Sequence, residues 1–373
     1  MKLFEYQAKD VFRQFGIAVP NSKLTLNTDE VKRAAEEVGF PCVLKSQVLR
    51  GGRGKAGLIK VVKDMEDALA TAKSLFESKH NVHKILVEQA VNIDKEIYLS
   101  VTLDPEKAKA LIIASSEGGV DIESLAVNSP EKIVMEEVDL NKGIQGFQCQ
   151  NVAYELVNDV AYAKQIAKVV GKLYSIFRKY DAELVEINPL FITREGDVVA
   201  GDGKLMIDDN SMYRQEAYDK TRDYYDSDVE YEAALKGIPY IQFDGDISLM
   251  CAGAGLTTTV YDLINYAGGT VANYLEFGGP NYRRAEESME LCLKNDSKVI
   301  LIVTFGTIAR ADVMAEGIVN AINKLKPDIP IVTCIRGTNE IEAVEMLKRA
   351  GLEPLFDTEE AVDKAVAIAQ GEV

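Results

Sequence analysis

Hydrophobic and polar positions follow two different patterns along the chain, and the change between them divides it into two parts. In the first part, strands of mixed polarity are interspersed with helices; Phe4, Ala8 and Val11, for example, recur at helical spacing. From about residue 237, apolar strands such as KVILIVTFG alternate regularly with amphipathic helices. This alternation is typical of an α/β fold with a doubly wound parallel sheet. We therefore predict two domains, residues 1–236 and residues 237–373.

The first part also supports several local predictions. PCVLKSQVL and LIKVVK are predicted strands on either side of the glycine-rich loop GGRGKAG. One long helix is predicted over residues 154–180, because its apolar positions repeat at helical spacing. AELVEINPLFI and GDVVAGDGKLMI are predicted to form a hairpin around a turn at residues 194–196. Residues 208–236 are rich in Asp, Tyr and Arg, and we interpret them as an inter-domain connection with some helix.

Composition limits the class of protein. Of the 373 residues, 47% are hydrophobic and 27% are charged, as in an ordinary globular protein. A net charge of −17 argues against nucleic-acid binding, and no apolar run approaches the length needed to cross a membrane. Scattered cysteines without CxxC spacing and the lack of a signal-peptide pattern fit a reducing compartment. We expect a cytoplasmic protein.

The glycine-rich loop at residues 51–57 carries the first chemical signal. Its spacing matches a dinucleotide-binding motif, but a strand follows where that motif needs a helix, and Ala56 stands where a phosphate loop needs Ser or Thr. Its backbone N–H groups, together with Arg53 and Lys55, suit nucleotide phosphates; the alternative is a flexible surface hairpin. Lys45, in the apolar strand before the loop, would be costly to bury unless a partner such as a phosphate neutralised it. The alternative for Lys45 is an edge position whose charged end reaches water.

Carboxylate and amide side chains indicate a metal–nucleotide site. Glu88 and Glu96 could accept hydrogen bonds from ribose hydroxyls, although each alone also fits a solvated charge at a strand end. Glu186 and Asn188 share one face of a strand by its period of two, and Asp202 is placed on the next strand of the hairpin. Such oxygen ligands suit Mg²⁺, which keeps several waters and bridges phosphates. One carboxylate and one amide bind a metal ion only weakly by themselves, so we expect Mg²⁺ to bind there together with a nucleotide. The alternative is that these three residues form only the polar face of a hairpin.

Several uncommon motifs occur in a fixed order: EYQAKDVF, GGRGKAG, EGGVDIE, VEINPL, DGKL and GAGL. In this order and at these separations they resemble the beta subunit of succinyl-CoA synthetase, and the resemblance covers nearly the whole chain. It implies an ATP-grasp domain at residues 1–236, binding ATP or GTP with Mg²⁺, and a flavodoxin-like CoA-ligase domain at residues 237–373. By match to the family's motifs, the nucleotide would be bound by Lys45, Gly52, Arg53, Gly54, Glu88 and Glu96, and Mg²⁺ by Asn188 and Asp202.

The resemblance also implies the chemistry. Enzymes of that family phosphorylate a histidine on the partner alpha subunit, convert the acid into an acyl phosphate and release the acyl-CoA. Glu186 would face this phosphorylated histidine as the catalytic residue. The chain's own His80 and His83 lie in the polar stretch SKHNVHK, without a glycine-rich cradle or an acid beside them, so neither is a credible phosphate carrier. We expect an alpha subunit to supply the phosphohistidine and the main CoA site, in a heterodimer or heterotetramer.

The second domain departs from the succinate enzymes at its acid-binding loops. Where those enzymes carry NGAGLAM and GGIVR, this chain has AGAGLTT at residues 252–258 and GTIAR at residues 306–310. Ala252, ANYLEF and Arg336 look more like the branch of ATP-citrate lyase and citryl-CoA synthetase. An added arginine can grip a further carboxylate, so the acid is expected to be either succinate or one with more oxygens, such as citrate or a hydroxy-dicarboxylate. The predicted acid-binding residues are Ala252, Thr307, Ile308, Ala309, Arg310 and Arg336.

Two other functional classes fit the sequence less well. A stand-alone ATP-grasp carboxylate–amine ligase would have no use for a ligase-type second domain. A nucleotide-sensing scaffold without activity would have no reason to keep Lys45, Glu186, Asn188 and Asp202 together. The leading prediction is therefore the nucleotide-binding subunit of an acid–CoA ligase, with the choice of acid and of ATP or GTP left open.

Overall fold

The computed structural model describes residues 1–49, 51–278 and 283–372. The chain divides into two compact units, Met1–Asp219 and Lys220–Val373. The change in pattern predicts a domain boundary after residue 236, whereas residues 220–236 group with the second unit in the structure.

The first unit contains two antiparallel sheets with helices around them. Its helices are α1 (Glu5–Gln14), α2 (Thr28–Val38), α3 (Met65–Phe76), α4 (Ile122–Asn128), α5 (Gly146–Leu156) and α6 (Val160–Lys179). Its strands are β1 (Ser22–Thr25), β2 (Cys42–Ser46), β3 (Ile59–Val62), β4 (Ile85–Gln89), β5 (Ile93–Asp104), β6 (Lys109–Ser115), β7 (Ile133–Asp139), β8 (Ala182–Thr193), β9 (Val198–Ala200) and β10 (Lys204–Ile207). The two strands predicted around the glycine-rich loop are confirmed as β2 and β3.

The smaller sheet has the strand order β1-β4-β2-β3 and packs one face against α2 and α3. Leu44 of β2 and Val87 of β4 are paired in register and belong to the apolar core beneath these helices. Because side chains alternate along a strand, the neighbouring Lys45 and Glu88 point to the opposite face. That face is where the buried charges described below come together.

The larger sheet has the order β10-β8-β5-β6-β7, with β9 also paired to β8. The single helix predicted over residues 154–180 is wrong, because α5 ends at Leu156 and α6 begins at Val160. Val157 is extended, with φ −145° and ψ 142°. The Asp159 carboxylate then accepts from the N–H groups of Ala161 and Tyr162, at 2.8 and 3.1 Å, and caps α6. The apolar spacing continues through this break, so periodicity alone did not reveal it.

The second arm of the predicted hairpin is interrupted. β8 pairs antiparallel with two short strands, β9 and β10, and residues 201–203 between them are not in a strand. Asp202 therefore does not lie on a strand, as was predicted. A Cβ at Gly201 would come within 2.2 Å of the Phe191 ring, and one at Gly203 within 2.6 Å of the Phe12 ring. These close approaches require glycine on both sides of Asp202.

The second unit is built from alternating strands and helices. Its helices are α7 (Asp228–Leu235), α8 (Ala254–Tyr266), α9 (Ala285–Cys292), α10 (Ala311–Leu325), α11 (Glu340–Arg349) and α12 (Thr358–Gln370). Its strands are β11 (Tyr240–Gln242), β12 (Ile247–Cys251), β13 (Val271–Leu275), β14 (Val299–Gly306), β15 (Ile331–Gly337) and β16 (Pro354–Leu355). Within the described parts of both units, no helix combines the length and apolarity needed to cross a membrane.

The sheet of the second unit has the order β11-β13-β12-β14-β15-β16, and all pairs are parallel except β11 with β13. Leu249 and Leu301 face α8 and α12, whereas Met250 and Ile302 face α9, α10 and α11. Both faces of the central strands are therefore buried, which explains why these strands are apolar at most positions on both faces. The predicted doubly wound parallel sheet is confirmed.

Glycines hold the loops at the carboxyl edge of this sheet close together. A Cβ at Gly278 would lie 2.8 Å from the Gly253 nitrogen, so the loops after β13 and β12 touch. A Cβ at Gly337, whose φ is +106°, would lie 2.0 Å from the Gly306 oxygen, so the ends of β15 and β14 touch as well. Ligands of doubly wound sheets bind at this edge.

Candidate functional site

The first candidate site is a cleft of about 420 Å³ in the first unit. It is bounded by the glycine-rich loop, by a turn at residues 119–121, by the middle of β8 and by the start of β10. Of the residues predicted from the sequence, those that line the cleft are Gly52, Arg53, Gly54, Lys55, Glu186, Asn188 and Asp202. The structure thus brings residues that are far apart in the chain to one place.

The glycine-rich loop leaves open space along its backbone. A Cβ at Gly51, Gly52 or Gly54 would meet no protein atom within 4 Å, so packing within the chain does not account for these glycines. Gly52 has φ +71°, a left-handed conformation that glycine adopts without strain. The loop therefore permits a ligand to approach its backbone N–H groups closely, which fits the phosphates of a nucleotide.

Behind the cleft lies a buried ionic cluster formed by Glu5, Lys9, Lys45 and Glu88. Lys9 is fully buried; its ammonium lies 2.9 Å from Glu5 and also pairs with Glu88. Lys45 lies 2.6 Å from Glu88 and 3.2 Å from Glu5. Both ammonium groups also donate to the Gly201 carbonyl oxygen, Lys9 at 2.8 Å and Lys45 at 2.6 Å. Lys45 and Glu88 are therefore partners of each other rather than free groups exposed in the cleft.

Arg53 connects this cluster to the cleft. One guanidinium nitrogen lies 2.6 Å from Glu5, and the other lies 2.8 Å from both carboxylate oxygens of Asp202. The first nitrogen also donates to the Ser46 carbonyl at 3.2 Å. The cation predicted to hold phosphate and the carboxylate predicted to hold Mg²⁺ are thus paired with each other.

The cluster shifts the proton affinities of its members in the directions expected for ion pairs. Burial by itself would raise the pKa of Glu5, but Lys45, Lys9 and Arg53 outweigh it and hold that pKa well below the usual range. Burial would lower the pKa of Lys45, but Glu5 and Glu88 raise it above its ordinary value. Arg53 behaves in the same way, because Glu5 and Asp202 raise its pKa despite burial. All three groups are therefore charged at neutral pH.

Glu186 occupies the floor of the cleft on β8. The Tyr98 hydroxyl donates to its carboxylate at 3.0 Å, and Lys204 lies opposite it in the pairing of β8 with β10. Burial raises the pKa of Glu186 and Asp202 adds to this, whereas Lys204 and the Tyr98 hydrogen bond act in the opposite direction. Burial and then the Glu186 carboxylate also raise the pKa of Tyr98. A carboxylate with a raised pKa that borders a cleft is suited to accepting a hydrogen bond or a proton from a group that enters the cleft.

Asn188 holds the turn on the other side of the cleft. Its side-chain oxygen accepts from the Gly119 N–H at 2.8 Å, and its amide nitrogen donates to the Val120 carbonyl at 3.0 Å. Glu96 lies under the same turn: the Gly118 N–H donates to its carbonyl at 2.9 Å, and a Cβ at Gly119 would collide with its carboxylate. Burial raises the pKa of Glu96. In this conformation Glu96 supports the turn and does not line the cleft.

The fit of a metal ion can be judged from the donor atoms. Among the described residues, no group of three or more His, Cys, Asp or Glu side chains is placed to hold a metal ion. Glu186, Asn188 and Asp202 nevertheless line one cleft and offer only oxygen ligands on their carboxylates and amide carbonyl. This set fits Mg²⁺ that brings its own waters and is shared with nucleotide phosphates, and it does not fit a metal bound by protein alone.

The second candidate site is the carboxyl edge of the parallel sheet in the second unit. Ala252 follows β12 and its N–H donates to the Val303 carbonyl of β14 at 3.0 Å. Thr307, Ile308 and Ala309 form the loop between β14 and α10, and Ile308 is fully exposed. Arg310 is the last residue of the same loop, directly before α10. Five of the six predicted acid-binding residues therefore follow the carboxyl ends of β12 and β14, which are adjacent and parallel.

The two arginines at this edge already have partners within the chain. Arg310 forms a forked ion pair with Asp312, with Nε 3.0 Å from one carboxylate oxygen. Arg336 lies 3.0 Å from Glu340, donates to the Phe356 carbonyl and stacks near the Phe356 ring at 5.8 Å. The assignment of Arg336 to a substrate carboxylate stays a prediction, and its guanidinium would have to exchange these partners to make that contact.

Sequence reasoning did not identify Glu5, Lys9 and Tyr98 as parts of the first site. Glu5 and Lys9 are spaced i, i+4 on α1, next to the apolar positions Ala8 and Phe12, and all four are buried. Opposite charges at this spacing within an apolar stripe were the available signal. Tyr98 lies on β5, whose pairing with β8 places it beside Glu186, and no local pattern indicates that contact.

Comparison with known families supports the same division of the chain. Residues 2–192 match the model of the ATP-grasp domain, and residues 250–368 match that of the CoA-ligase family. The predicted order of an ATP-grasp domain followed by a CoA-ligase domain is confirmed. Ligases with this pair of domains use ATP and Mg²⁺, in agreement with the donor set of the cleft.

Several characterised proteins are similar over the whole length. The ADP-forming sulfoacetate–CoA ligase subunit SauC of Bilophila wadsworthia is 63% identical, with all of both chains aligned. The corresponding subunit SqwK of an Acholeplasma species is 61% identical, covering all of this chain and 92% of the relative. The beta subunit of the ADP-forming succinate–CoA ligase of Aquifex aeolicus is 40% identical, with 99% of each chain covered.

One solved structure also aligns over the full chain. ATP citrate lyase from Methanothrix soehngenii, solved with citrate and coenzyme A, has a TM-score of 0.75 at 20% identity and covers all of this chain and 99% of its own. At this identity the similarity shows the fold alone.

Proposed function

Because the chain belongs to the family of nucleotide-binding subunits of ADP-forming acid–CoA ligases, we propose that its acid substrate is sulfoacetate rather than succinate. The reaction would join sulfoacetate to CoA while ATP is converted to ADP and phosphate. The observation that carries the proposal is identity of 63% and 61% to two sulfoacetate–CoA ligase subunits, against 40% to a succinate–CoA ligase subunit. The earlier expectation of succinate becomes the second candidate.

In the proposed mechanism, the cleft of the first unit binds Mg·ATP. The glycine-rich loop and Arg53 would hold the phosphates, and Asp202 and Asn188 would hold Mg²⁺. Mg²⁺ would neutralise charge on the transferred phosphoryl group. Glu186 would orient the histidine that receives this group, and its neighbour Tyr98 would in turn orient Glu186.

A partner subunit is part of this proposal, because the chain's own histidines are badly placed. His80 and His83 both precede β4, and neither is among the described residues that line the cleft. The phosphorylated histidine would therefore come from an alpha-type subunit, which would also bind CoA. The relatives' designation as subunits supports this expectation.

The carboxyl edge of the second unit supplies groups suited to an anionic acid. Helix α8 begins at Ala254 with no acidic residue in its first turn and no side-chain cap, so its first N–H groups can receive an anion. A sulfonate stays ionised at physiological pH and presents three acceptor oxygens, one more than a carboxylate. The exposed Thr307 hydroxyl, on the loop after the adjacent strand, adds a donor that could meet the third oxygen.

The test is an assay of acid specificity. The chain would be co-expressed with the alpha-type subunit of the same organism, and CoA-dependent ADP release would be measured with sulfoacetate, succinate, malate and citrate. The proposal expects kcat/KM to be highest for sulfoacetate and thioester to form with it. Higher kcat/KM with succinate or citrate would refute the assignment of the acid but not of the family.

A matched pair of variants tests the role of Thr307. Thr307→Val removes the hydroxyl and keeps the shape, whereas Thr307→Ser keeps the hydroxyl. We expect Thr307→Val to lower kcat/KM for sulfoacetate about tenfold, the effect of losing one hydrogen bond to a charged group, and Thr307→Ser to lower it much less. Equal losses in both variants would show that the hydroxyl does not contact the acid.

A further inference from the structure

Glu5 is a carboxylate at the centre of the buried cluster behind the cleft. It lies 2.9 Å from Lys9, 3.2 Å from Lys45 and 2.6 Å from Arg53. The side-chain amide of Gln47 also donates to it at 3.2 Å. Only 1% of its side chain is exposed, so water does not screen these contacts.

The charges of the whole cluster balance. Three cations, Lys9, Lys45 and Arg53, are in contact with three carboxylates. These are Glu5, Glu88 and Asp202. A buried cluster with equal numbers of both charges avoids the large cost of an isolated charge in a medium of low polarity. Removal of any one member leaves one buried charge without a counterion.

Of the three cations, Arg53 lines the cleft and is proposed to hold the phosphates, and the family resemblance implies a nucleotide-binding role for Lys45 as well. In this structure Lys45 and Arg53 both have Glu5 as a partner, and Arg53 also has Asp202. A polyphosphate in the cleft would bring several negative charges to Arg53 and close to Lys45, which lies behind it and shares Glu5. Glu5 and the phosphates are therefore alternative counterions for one pair of side chains.

We propose that Glu5 is a positioning residue that stands in for the nucleotide phosphates, holding Lys45 and Arg53 in the free chain and sharing them with Mg·ATP when it binds. This rests on the proposed binding of nucleotide in the cleft. Glu5 reaches the inner wall of the cleft, and in this role it acts on the nucleotide through the two cations. The carboxylate keeps a cationic site folded while it is empty, at the expense of some nucleotide affinity.

Thermodynamic linkage fixes the sign of the effect. Replacing Glu5 by glutamine keeps the size of the side chain and one acceptor oxygen, exchanges the other acceptor for an NH2 donor, and leaves the free cluster with one excess positive charge. Phosphates that bind afterwards meet that excess charge and no longer compete with the carboxylate. The free variant is therefore less stable than the wild type, but it gains more stability from Mg·ATP, because it binds Mg·ATP more tightly.

The experiment measures Mg·ATP binding to the full chain by isothermal titration calorimetry and its thermal stabilisation by scanning calorimetry. Glu5→Gln is expected to bind Mg·ATP about tenfold more tightly, the size of one charge-assisted interaction, and to show a larger rise in melting temperature with Mg·ATP. Glu36→Gln is the matched control, since Glu36 is an exposed carboxylate on α2 in the same unit. The control should match the wild type in both measurements.

Each outcome has a distinct meaning. Unchanged or weaker binding in Glu5→Gln overturns the proposal, because a purely structural carboxylate would lower stability without tightening the ligand. Absence of Mg·ATP binding in the wild-type chain would instead refute the proposed nucleotide site. Should Glu5→Gln not fold, Glu5→Asp takes its place: it keeps the charge but retracts it by one methylene, so it must bind Mg·ATP more tightly than wild type. Binding equal to or weaker than wild type in Glu5→Asp then overturns the proposal.

Discussion

Lys9 offers the sharpest test of the energetics of the buried cluster. Its side chain is fully buried, lies 2.9 Å from Glu5, pairs with Glu88 and donates to the Gly201 carbonyl at 2.8 Å. Lys9→Met removes the ammonium but keeps the length and apolar character of the stem. The three carboxylates of the cluster, Glu5, Glu88 and Asp202, would then face only two cations, which leaves one negative charge in excess.

The magnitude follows from the cost of breaking a buried ion pair at one partner. That cost is about 3–5 kcal/mol, because the remaining charge stays buried without its counterion. For a unit the size of Met1–Asp219, each kcal/mol lowers the melting temperature by about 2–4 °C. We therefore expect the melting temperature of the first unit to fall by roughly 6–20 °C.

The assay is scanning calorimetry of the full chain, in which the transitions of the two units are fitted separately. Lys23→Met is the control, because Lys23 forms an ion pair of similar length with Glu37, at 2.9 Å, but both side chains are at least half exposed. Such a surface pair contributes less than about 1 kcal/mol. The reasoning would be refuted if the two variants lowered the melting temperature equally.

Three further predictions concern the cleft and the helix that supports it. Arg53→Met frees the carboxylate oxygens of Asp202, so in the absence of nucleotide the chain should bind a divalent cation severalfold more tightly, while its affinity for Mg·ATP should fall about tenfold. Titration with Mn²⁺ followed by electron paramagnetic resonance measures the metal affinity, and an unchanged affinity would contradict this prediction. Tyr98→Phe removes a hydrogen bond that lowers the pKa of Glu186, so that pKa should rise and the acid limb of the kcat/KM profile of the complex should move to higher pH; a shift to lower pH would contradict the assignment. Asp159→Ala should destabilise the first unit by about 1 kcal/mol in urea unfolding through loss of the α6 cap, with Asp159→Asn close to wild type; equal losses would show that the cap hydrogen bonds do not matter.

Much of the fold could be predicted because it rests on patterns that are local in the chain. In the second unit, strands that are apolar at consecutive positions are expected to be buried on both faces, and the helices between them follow from a period of 3.6. In the first unit the strands around the glycine-rich loop were found in the same way. The break between α5 and α6 was missed although Asp159, a good capping residue, stood before the apolar run of α6.

The candidate site was predictable only in part. The open glycines and the oxygen ligands at Glu186, Asn188 and Asp202 were identified from residue type and spacing, and the structure brings them to one cleft. Lys45 was recognised as a charge that needed a partner, but the partner was taken to be a phosphate. In the structure its partners are Glu5 on helix α1 and Glu88 on the neighbouring strand β4.

The sequence by itself determined most of the regular elements, the order of the two folds and the glycines of the cleft, and it led to the prediction that a partner supplies the histidine. These features depend on periodicity, on residue type and on motifs that are contiguous in the chain. Only the tertiary structure decided which charges meet, because the neutralising contacts of Lys45 and Arg53 join residues as far apart as Glu5 and Asp202. A buried charge must find its counterion in space, and no spacing along the chain specifies that pairing.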